Sequence, residues 1–108
     1  MDVRLAGRQD VEDLAHLLWL HAAPEERARQ TVAAFAVDLA AWWSEHGDSH
    51  HAFVAVDGGS EVVGMAWLAL LPRVPRPGAP DRRFGDVQSV FVVPEHRGRG
   101  LGSTLVET

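Results

Sequence analysis

The first half of the chain carries its apolar residues at the spacing of an amphipathic helix. After Asp10, apolar residues recur three and four positions apart, and this period predicts a first helix over Val11–His21. Asp10 suits the N-cap position, and Asp13 follows it at the spacing of a capping box. A short apolar segment at residues 3–6 predicts a strand before this helix.

A second apolar stripe predicts a second, longer helix. Pro24 suits a first helical turn, and the two glutamates after it suit the positive end of a helix. The stripe continues from Val32 through Trp43, and Gly47 supplies a stop. The sequence therefore predicts two successive helices after one strand.

The middle of the chain changes to the pattern of strands. The stretch AFVAVDGGSEVVGMAWLALL, residues 52–71, holds two β-rich runs separated by a turn typical of a hairpin, in which glycine supplies a positive φ. Residues 72–83 contain four prolines and four arginines and predict a long loop, because proline cannot donate to a sheet. A strand from about residue 86 to 93 follows and ends at Pro94. With a helix starting after the next loop, the order β-α-α-β-β-β-α predicts one α/β domain of the mixed α+β kind.

Charge is distributed unevenly along the 108 residues, which carry a net −5. Residues 1–71 hold four arginines and eleven acids, a balance of −7, whereas residues 72–108 hold six arginines and four acids, a balance of +2. The acidic total argues against nucleic-acid binding. The basic C-terminal part suits a compact anion, and every fixed cation is an arginine, whose planar guanidinium matches phosphate or carboxylate.

Other classes of protein are excluded by composition. Cysteine is absent, so neither a disulfide framework nor a thiolate zinc site is expected. The sequence shows no signal-peptide pattern and no apolar run of membrane-spanning length, so we expect a cytoplasmic protein without a membrane partner. His46 and His50 are four apart, but Gly47 interrupts the helix between them, and we predict no metal.

Glycines alternate with other residues in RGRGLGS, residues 97–103, directly after the last predicted strand. Gly98, Gly100 and Gly102 allow a tight turn in which several N–H groups converge, which predicts an anion site for a pyrophosphate. A Walker A loop would need a lysine before Ser103, and a dinucleotide fingerprint would need a different glycine spacing and a later acidic residue. Neither of these two phosphate loops fits.

The segment VFVVPEHRGRGLGS, residues 90–103, resembles the acetyl-CoA signature of the GNAT superfamily of N-acetyltransferases. Its pattern Gln/Arg-x-x-Gly-x-Gly/Ala is matched by Arg97, Gly100 and Gly102, and the apolar strand that leads into Pro94 is similar too. The resemblance implies the GNAT acyl-CoA N-acyltransferase fold, in agreement with the predicted element order. It also implies transfer of an acetyl group from acetyl-CoA to a primary amine of a small molecule or a protein.

The resemblance assigns roles to individual residues. The end of the signature strand, Val90, Phe91 and Val92, would offer backbone groups to the pantetheine arm. The N–H of Val92 would donate to the thioester carbonyl. The main chain of the glycine-rich loop would bind the pyrophosphate, so the expected cofactor-binding set there is Arg97, Gly98, Arg99, Gly100, Leu101, Gly102 and Ser103.

The general base and the acceptor site are less defined. Asp86 is the expected base, with Asp81 near it in sequence and Gln88 suited only to positioning a water, although a carboxylate at a strand start is often just a turn residue. The arginine-rich segment 72–83 is either a solvated hairpin connection or a lid that selects an anionic feature of the acceptor. Of Trp42 and Trp43, one is expected in the core and the other facing the acceptor.

The family's fold continues past the signature helix and often supplies a tyrosine that protonates the leaving thiolate, whereas this sequence has no tyrosine. We therefore expect residues 1–108 to form a single GNAT domain that lacks its C-terminal part, as a piece of a longer protein, a natural truncation or a half-domain completed by another chain. Such a chain alone is expected to bind coenzyme A poorly and to turn over little. The alternative function is a non-catalytic acyl-CoA-binding or subunit-interaction module, and a homodimer is left open.

Overall fold

An antiparallel sheet of four strands, in the order β1-β2-β3-β4, forms the centre of the structure. The structure is a computed structural model that describes residues 2–96. Three helices lie between the first and second strands, so the mixed α+β fold class is confirmed. The elements are β1 Asp2–Leu5, α1 Val11–His21, α2 Pro24–Arg27, α3 Val32–His46, β2 His50–Val56, β3 Val62–Pro72 and β4 Arg83–Val92, with short 3-10 turns at Arg8–Asp10 and Pro94–His96.

Helix α1 begins and ends at the predicted residues, but the side chain of its N-cap residue, Asp10, bonds to other partners. The Asp10 carboxylate accepts hydrogen bonds from the Arg4 guanidinium at 2.8 and 2.9 Å and from the Gly7 backbone N–H at 2.8 Å. Asp10 does occupy the predicted N-cap position of α1, but its side chain makes no hydrogen bond to the first turn of the helix. The hydrogen bonds from Arg4 lower the pKa of Asp10, although burial of the carboxyl opposes this shift. Asp10 therefore ties β1 to the start of α1.

The predicted second helix is divided into two. Helix α2 is a single turn that ends at Arg27, and α3 begins only at Val32. The Thr31 hydroxyl accepts a hydrogen bond from the Ala34 N–H at 3.1 Å and caps α3. Residues 28–31 hold no large apolar side chain that could pack on the core, so the chain turns there. Pro24 opens α2 as predicted, but the prediction of one continuous helix is wrong.

Both hairpins of the sheet are observed, with differences from the predicted turns. In the β2–β3 turn the residue with positive φ is Ser60, at 67°, and not a glycine. The Asp57 carboxylate holds this turn by accepting from the N–H groups of Gly59 and Glu61, each at 2.9 Å. In the β3–β4 hairpin, pairing continues to Pro72 opposite Arg83, so part of the predicted loop is a two-stranded arm.

The core lies between the sheet and helices α1 and α3. Leu14 of α1, Val54 of β2 and Met65 of β3 are fully buried where the helical layer meets the sheet. A second cluster occupies the opposite face of the sheet; within residues 2–96 its buried members are Ala55, Val63, Ala66 and Val92. Burial on both faces identifies β2 and β3 as the central strands, with β4 beside them.

Candidate functional site

The end of β4 directs alternate backbone amides towards its outer edge. The N–H of Val93 donates to the Val63 carbonyl of β3 at 2.9 Å. Because backbone N–H groups alternate in direction along an antiparallel strand, the amides of Val90 and Val92 face away from β3. This is the edge along which the pantetheine arm was predicted to lie. The geometry suits a ligand that pairs with β4 in the manner of an added strand.

The side chains at this strand end are fixed by packing. Phe91 belongs to the core on the helix side of the sheet, and Val92 belongs to the cluster on the other side; each is 8% exposed. A 3-10 turn at Pro94–His96 then carries the chain towards the glycine-rich motif. The predicted pyrophosphate-binding residues 97–103 lie outside the described residues, and their roles stay a prediction.

A histidine that the sequence did not single out lies beside the signature strand. His21 is the last residue of α1, and its ring contacts the Phe91 ring edge-on at 5.3 Å between centroids. His21 is exposed, and Phe91, which it contacts, directly precedes Val92 in the sequence. No motif marks His21, because the contact depends on how α1 packs across the sheet. The topology of the fold was the signal that could have found it.

Asp86, the predicted base, lies on the same strand but far from Val92. It pairs with Ala69 of β3, whereas Val92 pairs with Gly64. Six residues at about 3.3 Å each separate Asp86 and Val92 by roughly 20 Å along β4. Asp86 is exposed and accepts a hydrogen bond from the Gln88 amide at 3.3 Å. The structure therefore brings Asp86 and Gln88 together, but neither is adjacent to Val92.

The two adjacent tryptophans of α3, Trp42 and Trp43, lie in different surroundings. Trp43 packs against the core at 5.1 Å from the Trp67 ring and donates its indole N–H to the His50 carbonyl. Trp42 is more exposed and stacks on His46 at 4.5 Å between ring centroids. Both sit at the end of α3 near the start of β2, which is the end of the sheet away from Val92. That the second tryptophan of the pair, Trp42, faces the acceptor stays a prediction.

The residues between α1 and α3 border the same end of the sheet as Val92. Trp19 of α1 donates its indole N–H to the Gln30 carbonyl at 3.1 Å, and the Arg27 guanidinium lies 5.6 Å from the Trp19 ring centroid. The hydrogen bond and the cation–π contact hold α2 and the following turn against the end of α1. The cationic and aromatic surface they form stands near His21 and is a candidate wall for an acceptor.

No helix within residues 2–96 is long and apolar enough to cross a membrane. Among the same residues, no three side chains of the metal-ligating types His, Asp and Glu gather into a group that could hold a metal ion. The rings of His46 and His50 do approach each other, at 6.0 Å between centroids.

A family model described as the acetyltransferase (GNAT) family matches residues 9–108. The chain therefore belongs to the GNAT acetyltransferase family, as the signature and the edge geometry of β4 indicated. No curated protein matches the chain in sequence.

Solved structures of acetyltransferases share the fold over nearly the whole chain. A ribosomal-protein-alanine N-acetyltransferase from Brucella melitensis is 24% identical with a TM-score of 0.71, covering 99% of this chain and 67% of its own. An acetyltransferase from Trypanosoma brucei is 25% identical with a TM-score of 0.68, covering 98% and 69%. An aminoglycoside 6'-N-acetyltransferase from Acinetobacter haemolyticus is 15% identical with a TM-score of 0.69, covering 99% and 67%. The chain thus spans about two thirds of the length of these proteins.

Proposed function

We propose that the protein transfers an acetyl group from acetyl-CoA to a primary amine of a small molecule or a protein. The observation that carries this proposal is the place of Val90 and Val92 at the end of β4, the strand that leads through the Pro94–His96 turn into the glycine-rich motif. Membership of the GNAT family supports it. A backbone N–H at this position is suited to a thioester carbonyl, because the strand on which it lies is held in place by packing on both faces.

Backbone groups of the chain have two roles: they bind acetyl-CoA, and they polarise its thioester carbonyl. The amides of Val90 and Val92 pair with the pantetheine arm, and the main chain of residues 97–103 binds the pyrophosphate. As the amine nitrogen bonds to the carbonyl carbon, negative charge develops on the carbonyl oxygen and is stabilised by the Val92 N–H. The carbon–sulfur bond then breaks, and the amide and coenzyme A are released. The proton lost by the amine balances the proton taken up by the thiolate.

Two side chains are proposed as acceptors of the amine proton. Asp86 acts only through an ordered water path, because about 20 Å of strand separates it from Val92. His21 stands beside Phe91 and needs a much shorter path. Histidine is the side chain that most often serves as a general base, which suits the role.

The two proposed bases are distinguished by the pH dependence of kcat/KM in His21→Gln and Asp86→Asn. If His21 is the base, kcat/KM of H21Q falls by about a hundredfold or more, and its pH profile loses the acidic limb. D86N then keeps the activity and the acidic limb of the wild type. The opposite pattern assigns the role to Asp86. A profile with its acidic limb intact in both variants contradicts both assignments.

The transfer itself is tested by titrating free thiol released from acetyl-CoA in the presence of an amine. The similar structures suggest two acceptors to try first, a peptide with an N-terminal alanine and an aminoglycoside. Amine-dependent thiol release, with the acetylated product identified by mass, is the expected result. Saturable acetyl-CoA binding without release to any amine would instead favour a non-catalytic acyl-CoA-binding module.

A further inference from the structure

A cavity of about 690 Å³ opens at the end of the sheet opposite Val92. Its walls come from the end of β1, the Arg8–Asp10 turn, the first turn of α1, the last turns of α3 and the start of β2. The volume lies within the range of small-molecule sites, roughly 300–1,000 Å³. None of the residues assigned above to acetyl transfer lines it, so it is separate from the acetyl-CoA edge.

The floor of the cavity is apolar and extends into a groove. Ala6, Trp43 and Ala52 form part of this floor, and the Trp43 ring is held by its hydrogen bond to the His50 carbonyl. A second cavity of about 530 Å³ runs between α1 and α3 and shares Val11, Glu12 and Ala40 with the first. The two cavities therefore adjoin each other at the first turn of α1, and the second forms a largely apolar groove.

Two opposite charges line the cavity without neutralising each other. Arg8 of the 3-10 turn and Glu12 of α1 both line the cavity, and within residues 2–96 they form no ion pair with each other. The Arg8 guanidinium reaches the Ser44 hydroxyl at 3.5 Å, which leaves most of its donors uncommitted. Glu12 makes no side-chain hydrogen bond in the described part of the chain.

From this arrangement we infer a second binding site, for a free α-amino acid with a large apolar side chain. The carboxylate of the ligand pairs with Arg8, its ammonium group pairs with Glu12, and its side chain lies against Trp43 and enters the apolar groove. A simple amine or a simple carboxylate would pair with only one of these two exposed charges, so it would gain less than the amino acid does. The inference does not depend on acetyl transfer.

The test follows the indole N–H resonances of the four tryptophans by NMR, assigned with single Trp→Phe variants, while L-leucine or L-phenylalanine is added. Trp43 reports on the cavity, whereas Trp19, bonded to the Gln30 carbonyl at the other end of the helices, reports on the acceptor end. We expect a saturable shift of Trp43 and none of Trp19. Acetyl-CoA is left out, so the outcome is independent of the proposed function.

Matched ligands and variants test the charge argument. Isoamylamine lacks the carboxylate of leucine, isocaproate lacks its ammonium group, and glycine lacks the side chain; each should bind at least about tenfold more weakly than leucine. Arg8→Gln and Glu12→Gln should each weaken leucine binding by a similar factor, while Arg29→Gln, an exposed arginine outside both cavities, should not. Circular dichroism verifies that each variant is folded.

Three outcomes would overturn the inference. The first is a Trp43 resonance that does not shift with any amino acid, and the second is binding of the single-charge analogues as tight as that of leucine. A shift of Trp19 alone would show that amino acids bind only at the acceptor end.

Discussion

Replacement of Asp10 by alanine removes the link between β1 and the start of α1. The carboxylate is 5% exposed and accepts two hydrogen bonds from Arg4 and one from the Gly7 N–H. Asp10→Ala leaves the Gly7 N–H without this acceptor and the Arg4 guanidinium without its counter-charge. The 3-10 turn at Arg8–Asp10 then loses the contact that orients α1 against the sheet.

The expected loss of stability in Asp10→Ala follows from the burial of the carboxylate. A hydrogen bond to a charged group contributes about 1.5–3 kcal/mol, but three bonds to one carboxylate are not additive. The Arg4 side chain is 45% exposed and regains water when its partner is removed. We therefore expect Asp10→Ala to lower the free energy of unfolding by about 2–3 kcal/mol. For a domain of this size this lowers Tm by roughly 10–20 °C.

The link also has a pH signature. Hydrogen bonds from Arg4 hold the pKa of Asp10 below its ordinary value of 3.8. Its stabilising contribution is therefore full above the unfolded-state pKa and is lost as pH falls through the lower, folded-state pKa. In Asp10→Asn this contribution is absent at every pH, so the stability difference between wild type and variant should narrow as pH falls below about 4.

Thermal and urea unfolding, measured from pH 7 down to about pH 3, test both statements. Asp48→Asn, at an exposed turn position without a side-chain hydrogen bond in the described residues, serves as the matched control and should be nearly neutral. A loss below about 0.5 kcal/mol in Asp10→Ala, or a stability difference in Asp10→Asn that grows as pH falls, would refute the reasoning.

Two further substitutions test the helical layer. Thr31→Ala removes the cap of α3 and should cost about 1 kcal/mol in urea unfolding, whereas Thr31→Ser should be nearly neutral; equal losses would show that the hydroxyl does not cap. Leu14→Ala leaves a cavity at a fully buried position on the core side of α1 and should lower the free energy of unfolding by about 2–5 kcal/mol. Val37→Ala, at a position 70% exposed, should lower it by well under 1 kcal/mol. Similar losses at both positions would contradict the assignment of the core.

The elements that the sequence predicted best are those with a strong local pattern. The bounds of α1 followed from its apolar period, and the β2–β3 hairpin followed from the residues at its turn. The break between α2 and α3 was missed, because Pro24 and the later apolar stripe each looked helical and nothing local showed that the chain turns at residues 28–31. Ser60 took the positive φ because Asp57 holds the turn from its side chain.

The sequence predicted only those parts of the candidate site that act through backbone groups. Val90 and Val92 belong to a strand whose signature is contiguous in sequence, so their position at the edge of β4 was expected. His21 and the cavity beside Arg8 arise from contacts between distant elements, and no local pattern encodes them. Asp86 was chosen by its position on the signature strand, but strand length places it far from Val92.

The role of β4 as the acetyl-CoA edge is tested most directly by its backbone amide resonances during titration with acetyl-CoA. The titration is run on the wild-type protein and on Gly100→Asp, which puts a carboxylate in the predicted pyrophosphate loop. Gly58→Asp is the matched control, because a side chain added at Gly58 meets open space in the β2–β3 turn.

We expect saturable shifts of the Val90 and Val92 amide resonances, even if binding is weak. The Phe84 amide resonance, in the distant arm, should not change. These shifts should persist in Gly58→Asp and be lost in Gly100→Asp. Wild-type amides of Val90 and Val92 that do not respond to acetyl-CoA, or that respond equally in Gly100→Asp, would contradict it.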